Sequence, residues 1–404
     1  MALALAGIRV VDVSQGVPGP LCSMMLGDLG AAVTKIEPPG GDWLREVGPF
    51  TQGESALFMR LNRNKKGMCV NLKEKAGQEI VSHLAKGADV FIEGYTTGVM
   101  KRLGLGFDTL SRENKGLIYC SISGYGSRGP LADTPATELD LQAVVGKFRH
   151  LGTPDEPPLR VGFDIITSNA AWAACQGILA ALYARELTGE GQRVETSLLD
   201  AAVAIMQWTI ASETGPDEWR ARPISGYTEP PDHGFQCKNA HFLMDWGNQN
   251  ESWQTLCRML DAEHIATDPR FDEWFKRLNN RAELAEELKP FLAKWNFDDL
   301  YQLVQGMGGT IVRMNTADTL LNGPQVAALG IVKELDHPVA GKYHTIDVPW
   351  LCSEPMAELS PVPAPSLGEH NEEVLKDLGY TAAQIDQLVR AGIIGRKLSM
   401  KASN

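Results

Sequence analysis

Short apolar runs of strand length alternate with segments of helix length between Ile8 and Ser123. Ile8 to Val13 and Ala32 to Glu37 have the pattern of buried strands, and Pro20 to Leu29 between them has that of a helix. The same alternation continues in runs at 68–72, 77–86, 89–93 and 117–123. Because parallel strands are joined by crossover segments, this order predicts an α/β fold with a mostly parallel, doubly wound sheet.

A second block, from Arg160 to Ala201, joins a polar turn, a long apolar helix, a glycine and a strand. Ala171 to Leu187 is alanine-rich and apolar, which predicts a helix packed closely in the core. It is too short and too polar at its start for a membrane span, which needs roughly 20 mostly apolar residues. Gln192 to Leu198 alternates as a strand does. The turn before the helix, Asp164 to Asn169, lies where α/β enzymes commonly place reactive groups, although an inert helix cap is the alternative.

The chain changes character in its middle, which indicates a second, smaller domain. Proline and tryptophan punctuate the segment from Pro216 to Pro231, and helical patterns dominate from Glu251 to Gln305. Towards the end, a proline-rich linker leads to two short amphipathic helices. We therefore expect a large domain over 1–215, a linker and small domain over 216–330, and a return to the large domain over 331–404.

Composition disfavours several classes of partner. The 404 residues carry a net charge of −12, whereas nucleic acids and anionic membranes bind to clustered basic faces. The seven cysteines form no CxxC pair, and the eight histidines show no HExxH motif, so neither a disulfide framework nor a metal site is predicted. This cysteine usage fits a reducing cytoplasm, and the first residues lack the features of a signal peptide.

The loop after the first strand, GVPGP at Gly16 to Pro20, invites comparison with dinucleotide-binding loops. Glycines at such a place let backbone N–H groups approach a phosphate at a helix N-terminus. The spacing does not match GxGxxG, and prolines remove N–H donors. Dinucleotide binding as in a dehydrogenase is therefore disfavoured.

Seven stretches carry the strongest signal: GIRVVDVSQGVPGP, LGDLGAAVTKIEPPGGD, NLKEKAG, SISGYGSRGP, LTGEGQRVETSLLDA, LNGPQVAALG and APSLGEHNEEVL. In this order they resemble the family III CoA-transferases, the family of formyl-CoA and carnitine CoA-transferases. The resemblance implies a Rossmann-like large domain, a smaller domain and a dimer of two interlocked rings. It also implies a CoA thioester as substrate, no tightly bound cofactor, and transfer of CoA to a carboxylic acid through an aspartyl anhydride.

One position departs from that family, because Thr167 lies where its members usually carry the aspartate nucleophile. A carboxylate is ionised at neutral pH, attacks a thioester without a base, and forms an anhydride that can be reopened. A threonine hydroxyl needs a general base, and its ester would be a stable trap. We therefore do not expect Thr167 to replace aspartate in the same mechanism.

Three interpretations of Thr167 stay open. Asp164, three residues upstream, is a reserve candidate for the nucleophile, although capping a turn is the more common role for such an aspartate. The favoured interpretation is a non-catalytic subunit of a heteromer, as in benzylsuccinate CoA-transferase, in which a paralogous subunit supplies the aspartate. The third is an engineered or naturally inactive copy. A CoA-binding scaffold without activity is a further alternative for the function.

The related α-methylacyl-CoA racemases use a histidine and an aspartate as opposed acid and base. The histidine would precede Asp140, but the chain has Leu139 there, and the aspartate would fall at or beside Thr167. Racemisation is therefore disfavoured. Asp140 is kept as a candidate substrate-contacting residue.

The resemblance also implies positions that contact CoA, among them cations suited to phosphate. These positions are Gln15, Val17 and Pro18 along the pantetheine, Leu72 and Lys75 at the adenine and phosphates, and Arg102 near the nucleotide phosphates. Gly247 and Asn248 match a loop that covers the active site of the neighbouring subunit. Aromatic residues near the domain boundary are candidates for lining an acid pocket, although packing is their more common role: Trp208, Trp219, Tyr227, Phe235 and Trp246.

Overall fold

The computed structural model describes residues 3–146, 157, 159–207, 210–211, 234–246, 250–350, 352–353 and 362–395. The chain divides into two compact units. The first comprises Met1–Phe148, Arg160–Met206 and Leu329–Asn404, and the second comprises Arg149–Leu159 and Gln207–Ala328. The domain boundaries expected from the sequence stay a prediction.

A six-stranded parallel sheet forms the centre of the first unit. The strands of the first unit up to residue 197 are, in chain order, β1 (Arg9–Asp12), β2 (Ala32–Glu37), β3 (Phe50–Thr51), β4 (Glu54–Ser55), β5 (Lys65–Cys69), β6 (Val90–Glu93), β7 (Ile118–Ser123) and β8 (Arg193–Ser197). The sheet has the order β5-β2-β1-β6-β7-β8, while β3 and β4 form a separate short hairpin. All neighbouring strands of the large sheet run parallel. The parallel sheet expected from the sequence is confirmed.

Helices cover both faces of this sheet. They are α1 (Pro18–Asp28), α2 (Ala56–Leu61), α3 (Lys75–Lys86), α4 (Val99–Arg102), α5 (Phe107–Glu113), α6 (Glu138–Val144), α7 (Ile165–Thr188) and α8 (Leu198–Ala204). On one face, buried side chains of α1 and α7 form a core cluster with strand residues that include Val10 of β1. On the other face, buried side chains of α3, α4 and α5 form a second cluster that includes Val11 of β1. Successive strand residues are therefore both buried, which explains the continuous apolar runs in the sequence.

Helix α7 differs from the sequence-based expectation at its start. It begins at Ile165 rather than Ala171, so the predicted polar turn is the N-cap and first turn of this helix. Its end agrees, because Gly189 takes a left-handed conformation with φ of 76°. Among the described residues, α7 is the one helix that meets the length and hydropathy of a membrane span, and 50% of that window is buried in the protein.

The second unit is built around a small antiparallel sheet. Its strands are β9 (Phe235–Gln236), β10 (His241–Asp245) and β11 (Thr310–Arg313), in the order β11-β10-β9. Between and after them lie α9 (Asn250–Met259), α10 (Glu263–Ala266), α11 (Trp274–Asn279), α12 (Arg281–Leu292), α13 (Phe297–Gly306), α14 (Ala317–Leu321) and α15 (Pro324–Leu329). The core of this unit includes Trp246, Trp253 and Phe242.

The carboxyl-terminal part returns to the first unit. It contains the hairpin β12 (Val332–His337) and β13 (Gly341–Ile346), then α16 (Asn371–Asp377) and α17 (Ala382–Arg390). Val374, Leu375 and Ile385 of the two helices join the core on the α3 side of the sheet. The two short amphipathic helices expected from the sequence are present.

Candidate active site

A topological switch point of the sheet lies at the carboxyl ends of the neighbouring strands β1 and β6, and the space between the loops that follow these strands is called the crevice below. The chain leaves β1 into α1 on one face of the sheet and leaves β6 into α4 and α5 on the other. Such a switch point is where parallel sheets bind their ligands. Gln15, after β1, donates from Nε2 to the hydroxyl of Tyr95, after β6, at 3.3 Å. The predicted pantetheine segment therefore lies at this switch point, and its contact with CoA stays a prediction.

The other residues of that segment begin helix α1. Val17 is the N-cap, and Pro18 is the first helical residue, where a missing N–H costs nothing. Val17 also packs against a small core cluster that contains Leu44 and Phe58. Gly16 has a φ of 78°, and a Cβ there would lie 2.6 Å from the ring of Trp43. The loop is thus tightly enclosed.

The first turn of α7 is capped by Glu138, which is the first residue of α6. Its Oε2 accepts from the backbone N of Thr167 at 2.8 Å and from the Thr167 hydroxyl at 3.0 Å. Its Oε1 accepts from the backbone N of Ile166 at 3.1 Å and from Gln142 Nε2 at 2.9 Å. Gln142 Oε1 in turn accepts from the backbone N of Val161 at 3.0 Å. Helix α6 therefore fixes the segment that leads into α7.

This geometry limits what Thr167 can do. Four donors converge on Glu138, which matches the roughly four acceptor positions of a carboxylate. Thr167 itself is only 8% exposed. An anion at the N-terminus of a helix is favourable, so Glu138 is well placed as a cap. The hydroxyl at the family's nucleophile position is a donor within that cap.

Asp164 lies beside the same helix end. It is the N-cap residue of α7, and within the described residues its side chain caps no backbone N–H. Partial burial of the carboxyl group, with the negative charge of Glu138 nearby, raises the pKa of Asp164. The residue as a whole is exposed.

Asp140 has a structural role in the fold. Its Oδ2 accepts from the backbone N of Thr137 at 2.8 Å and from the Thr137 hydroxyl at 2.7 Å, which forms a capping box at the start of α6. These hydrogen bonds lower the pKa of Asp140. The proposed contact of Asp140 with substrate stays a prediction.

The remaining predicted CoA contacts lie after β5 and β6. Leu72 packs against the core on the α3 side of the sheet. Lys75 is the first residue of α3 and Arg102 is the last residue of α4, and both are exposed. Gly247 and Asn248 lie outside the described residues, as do Trp208, Trp219 and Tyr227. Phe235 and Trp246 are buried in the core of the second unit.

A cavity of about 920 Å³ lies at the opposite edge of the sheet, near the starts of β1, β2 and β5. Ligand sites of parallel sheets lie at the carboxyl ends instead. One of its cations, Lys66, is already paired with Glu373 at 2.8 Å. We therefore place the candidate active site in the crevice of Gln15 and Tyr95 and at the first turn of α7.

Sequence reasoning missed Glu138 and Tyr95. The Thr137 and Asp140 spacing does signal a capping box, which locates the start of α6. Nothing in that local pattern shows that Glu138 reaches across to α7, because this contact depends on how the two helices pack.

Comparison with known proteins identifies the family. Residues 5–371 match the family model described as CoA-transferase family III. The chain belongs to the family III CoA-transferases. The resemblance seen in the sequence is thus confirmed. Enzymes of this family use CoA thioesters as substrates and have no tightly bound cofactor. Among the described residues, no group of three His, Cys, Asp or Glu side chains could hold a metal ion.

Several relatives illustrate the family III match. Succinyl-CoA:glutarate CoA-transferase of Homo sapiens is 32% identical over 402 residues, covering 96% of this chain and 90% of the human protein. Acetyl-CoA:oxalate CoA-transferase of Acetobacter aceti is 36% identical over 327 residues, covering 80% and 83%. The crystal structure of a CAIB/BAIF family protein from Brucella suis matches with a TM-score of 0.83 at 28% identity, covering 94% of this chain and 100% of that one.

Proposed function

We propose that this chain is a subunit of a heteromeric family III CoA-transferase in which a paralogous subunit supplies the aspartate nucleophile. The observation that carries the proposal is the Thr167 hydroxyl, which donates to a carboxylate that already has a full set of donors. The hydroxyl is thus engaged in the cap of α7, and an acyl ester on this oxygen would be a stable trap rather than a reactive anhydride. The two subunits would form the interlocked dimer of the family.

The reaction we propose for the complex proceeds on the paralogue's aspartate. Its carboxylate attacks the thioester carbonyl, the C–S bond breaks, and CoA leaves as the thiolate. The acceptor carboxylate then opens the mixed anhydride and releases the donor acid. The CoA thiolate attacks the new anhydride, which forms the product thioester and regenerates the aspartate. No net proton or electron is required.

The relatives suggest the class of acid. The names of the similar enzymes contain glutarate and oxalate, which are dicarboxylates. We propose a dicarboxylic acid, or its CoA thioester, as one substrate of the complex. The exposed cations Lys75 and Arg102 support binding of the CoA phosphates at the carboxyl edge of the sheet.

A self-sufficient transferase is the second candidate, and one observation favours it. Asp164 is an exposed carboxyl group at the N-terminus of α7 that caps no backbone N–H within the described residues. In that case the lone chain would exchange CoA, and hydroxylamine-sensitive acyl label would map to Asp164. A CoA-binding scaffold would show binding without exchange in any combination.

The test is co-expression of this chain with the paralogue, followed by CoA exchange assays on the complex and on each chain. We expect exchange by the complex, none by this chain alone, and loss of exchange when the paralogue's aspartate is changed to asparagine. Thr167→Ala in this chain should leave the rate of the complex within about twofold, because the hydroxyl takes no part in chemistry. A large loss with Thr167→Ala, or exchange by the lone chain, would contradict the proposal.

A further inference from the structure

A buried ion pair underlies the loop that contains Gln15. Lys35 of β2 and Asp42 are both fully buried, and Lys35 Nζ lies 2.8 Å from Asp42 Oδ2. Asp42 also accepts from the backbone N of Leu44 at 3.0 Å. The pair lies below the carboxyl end of β1, within the first unit.

This ion pair holds the peptide groups on both sides of Gln15. Lys35 Nζ donates to the carbonyl oxygen of Ser14, which belongs to the peptide group before Gln15. The Asp42 carboxylate accepts from the backbone N of Gly16, in the peptide group after Gln15, at 3.0 and 3.2 Å. One lysine and one aspartate thus fix the orientation of both peptide planes that set the direction of the Gln15 side chain.

A third charged residue, Asp12 at the end of β1, also holds the loop. Asp12 accepts from the backbone N of Ser14 at 3.0 Å and also from its hydroxyl. Its other oxygen accepts from the Ser23 hydroxyl and lies 3.5 Å from Lys65 Nζ. Burial opposes ionisation of Asp12, but Lys35, Lys65 and the serine hydrogen bonds outweigh it and lower the pKa of Asp12. Asp12 is therefore ionised at neutral pH.

Stability alone is a weak reason for such a network. Burying charged groups carries a desolvation cost, and well-packed apolar residues often stabilise a core as much as a buried ion pair does. What ions provide here is fixed direction, because charge-assisted hydrogen bonds hold specific backbone atoms. The atoms held are those of the loop at the ligand crevice, where Gln15 contacts Tyr95.

We infer that Lys35 and Asp42 are positioning residues that act through Gln15 on the binding of CoA and its thioesters. This inference rests on the proposed function, with the candidate CoA site in the crevice of Gln15 and Tyr95, but it does not require that this chain be catalytic. It extends the site from the residues that line the crevice to a buried pair beneath them. A structural role alone would give the pair no special effect on ligand binding.

The chain offers a matched control for this distinction. Arg63 and Asp28 form another buried ion pair at 2.6 Å, with side chains 4% and 2% exposed. Asp28 is the last residue of α1, at the end of the helix remote from Gln15. Asp42→Asn and Asp28→Asn are therefore the same substitution in two buried pairs of one unit. Only the first pair contacts the crevice loop.

The experiment measures CoA binding by isothermal titration calorimetry on the full chain, in the assembly in which it purifies, with thermal unfolding in parallel. Both variants should lower the unfolding temperature, but Asp42→Asn should weaken CoA binding roughly tenfold while Asp28→Asn changes it less than twofold. In a Gln15→Ala background, the effect of Asp42→Asn on binding should disappear. If Asp42→Asn does not fold, Lys35→Arg, which keeps the charge, takes its place in the cycle.

Each other outcome overturns the inference. Equal weakening by both aspartate variants would mean that the pair only stabilises the fold. An unchanged effect of Asp42→Asn in the Gln15→Ala background would mean that the pair does not act through Gln15. An absence of any effect of Gln15→Ala would remove the CoA site from the crevice. Failure of the proposed heteromer shows separately, as absence of CoA exchange by the co-expressed chains.

Discussion

The Thr167 hydroxyl, in the first turn of α7, lies 3.0 Å from Oε2 of Glu138, the first residue of α6, and donates to it. In this family the equivalent of Thr167 is where an attacking carboxylate is expected. Here the same position completes a helix cap. Substitutions at position 167 can therefore test the contribution of this residue to stability separately from any contribution to catalysis.

Removal of the cap should destabilise the protein. Glu138→Ala leaves two backbone N–H groups and the Thr167 hydroxyl without their acceptor, so we expect a loss of about 2 kcal/mol of unfolding free energy. Urea denaturation monitored by circular dichroism measures it. Glu186→Ala, an exposed glutamate on the same helix α7, serves as control and should change stability by less than about 0.5 kcal/mol. Equal effects of the two variants would contradict the capping role.

The family's usual residue should be poorly tolerated at this position. Thr167→Asp places a second carboxylate next to Glu138, and two such charges repel strongly when partly buried. Thr167→Asn is the matched neutral control, because its amide can still donate to Glu138. We expect Thr167→Asp to be about 2 kcal/mol less stable than Thr167→Asn at pH 7 in urea denaturation. Adding Glu138→Gln should remove most of that difference, and a persistent gap would show that repulsion is not its cause.

Two aspartates near this site should respond to pH with opposite signs. The raised pKa of Asp164 means that the folded chain holds a proton on this carboxyl group more readily than the unfolded chain does. The contribution of Asp164 to stability therefore falls as pH rises from the unfolded pKa to the folded pKa. The lowered pKa of Asp140 stabilises the fold above its unfolded value, and that contribution is lost as pH falls.

At neutral pH, Asp164→Asn should therefore raise the unfolding temperature relative to the native protein, and Asp140→Asn should lower it. Both differences should shrink in acid, where the carboxyl groups are protonated in either state. Differential scanning calorimetry across this pH range measures the trend. The same sign for both variants would contradict the assigned environments.

The sheet was predictable because its strands are buried on both faces. Ala32–Glu37 was found at its expected bounds, and Leu117 to Ser123 was displaced by one residue only at its start. The strand expected at 68–72 instead spans Lys65–Cys69. A lysine at the start of a strand suggests a solvent-exposed position, whereas Lys65 is buried beside Asp12. That pairing joins residues distant in sequence, so no local pattern could show it.

The site was only partly predictable for a similar reason. Thr167 and Asp164 were located by the motif, but the segment Thr167-Ser168-Asn169 has low helix propensity and resembles a turn. In the fold it is helical, because Glu138 supplies the cap and Thr167 is buried. The ion pair of Lys35 and Asp42 was likewise present in the sequence as ordinary charged residues. Burial, which gives these groups their importance, is a property of the tertiary structure.

Lys65 should make the stability of the protein depend on pH above neutrality. Burial lowers its pKa to about 7 despite the nearby Asp12, whereas an unfolded lysine titrates near 10.4. Between these values only the unfolded chain binds the proton, so stability rises with pH. The free energy of unfolding of the native protein, relative to that of Lys65→Met, should therefore increase by up to about 1.4 kcal/mol per pH unit between these two pKa values. Lys86→Met, at a lysine side chain 51% exposed, should give a constant offset in the same urea titrations. Parallel curves for native protein and Lys65→Met would show that Lys65 stays protonated in the fold.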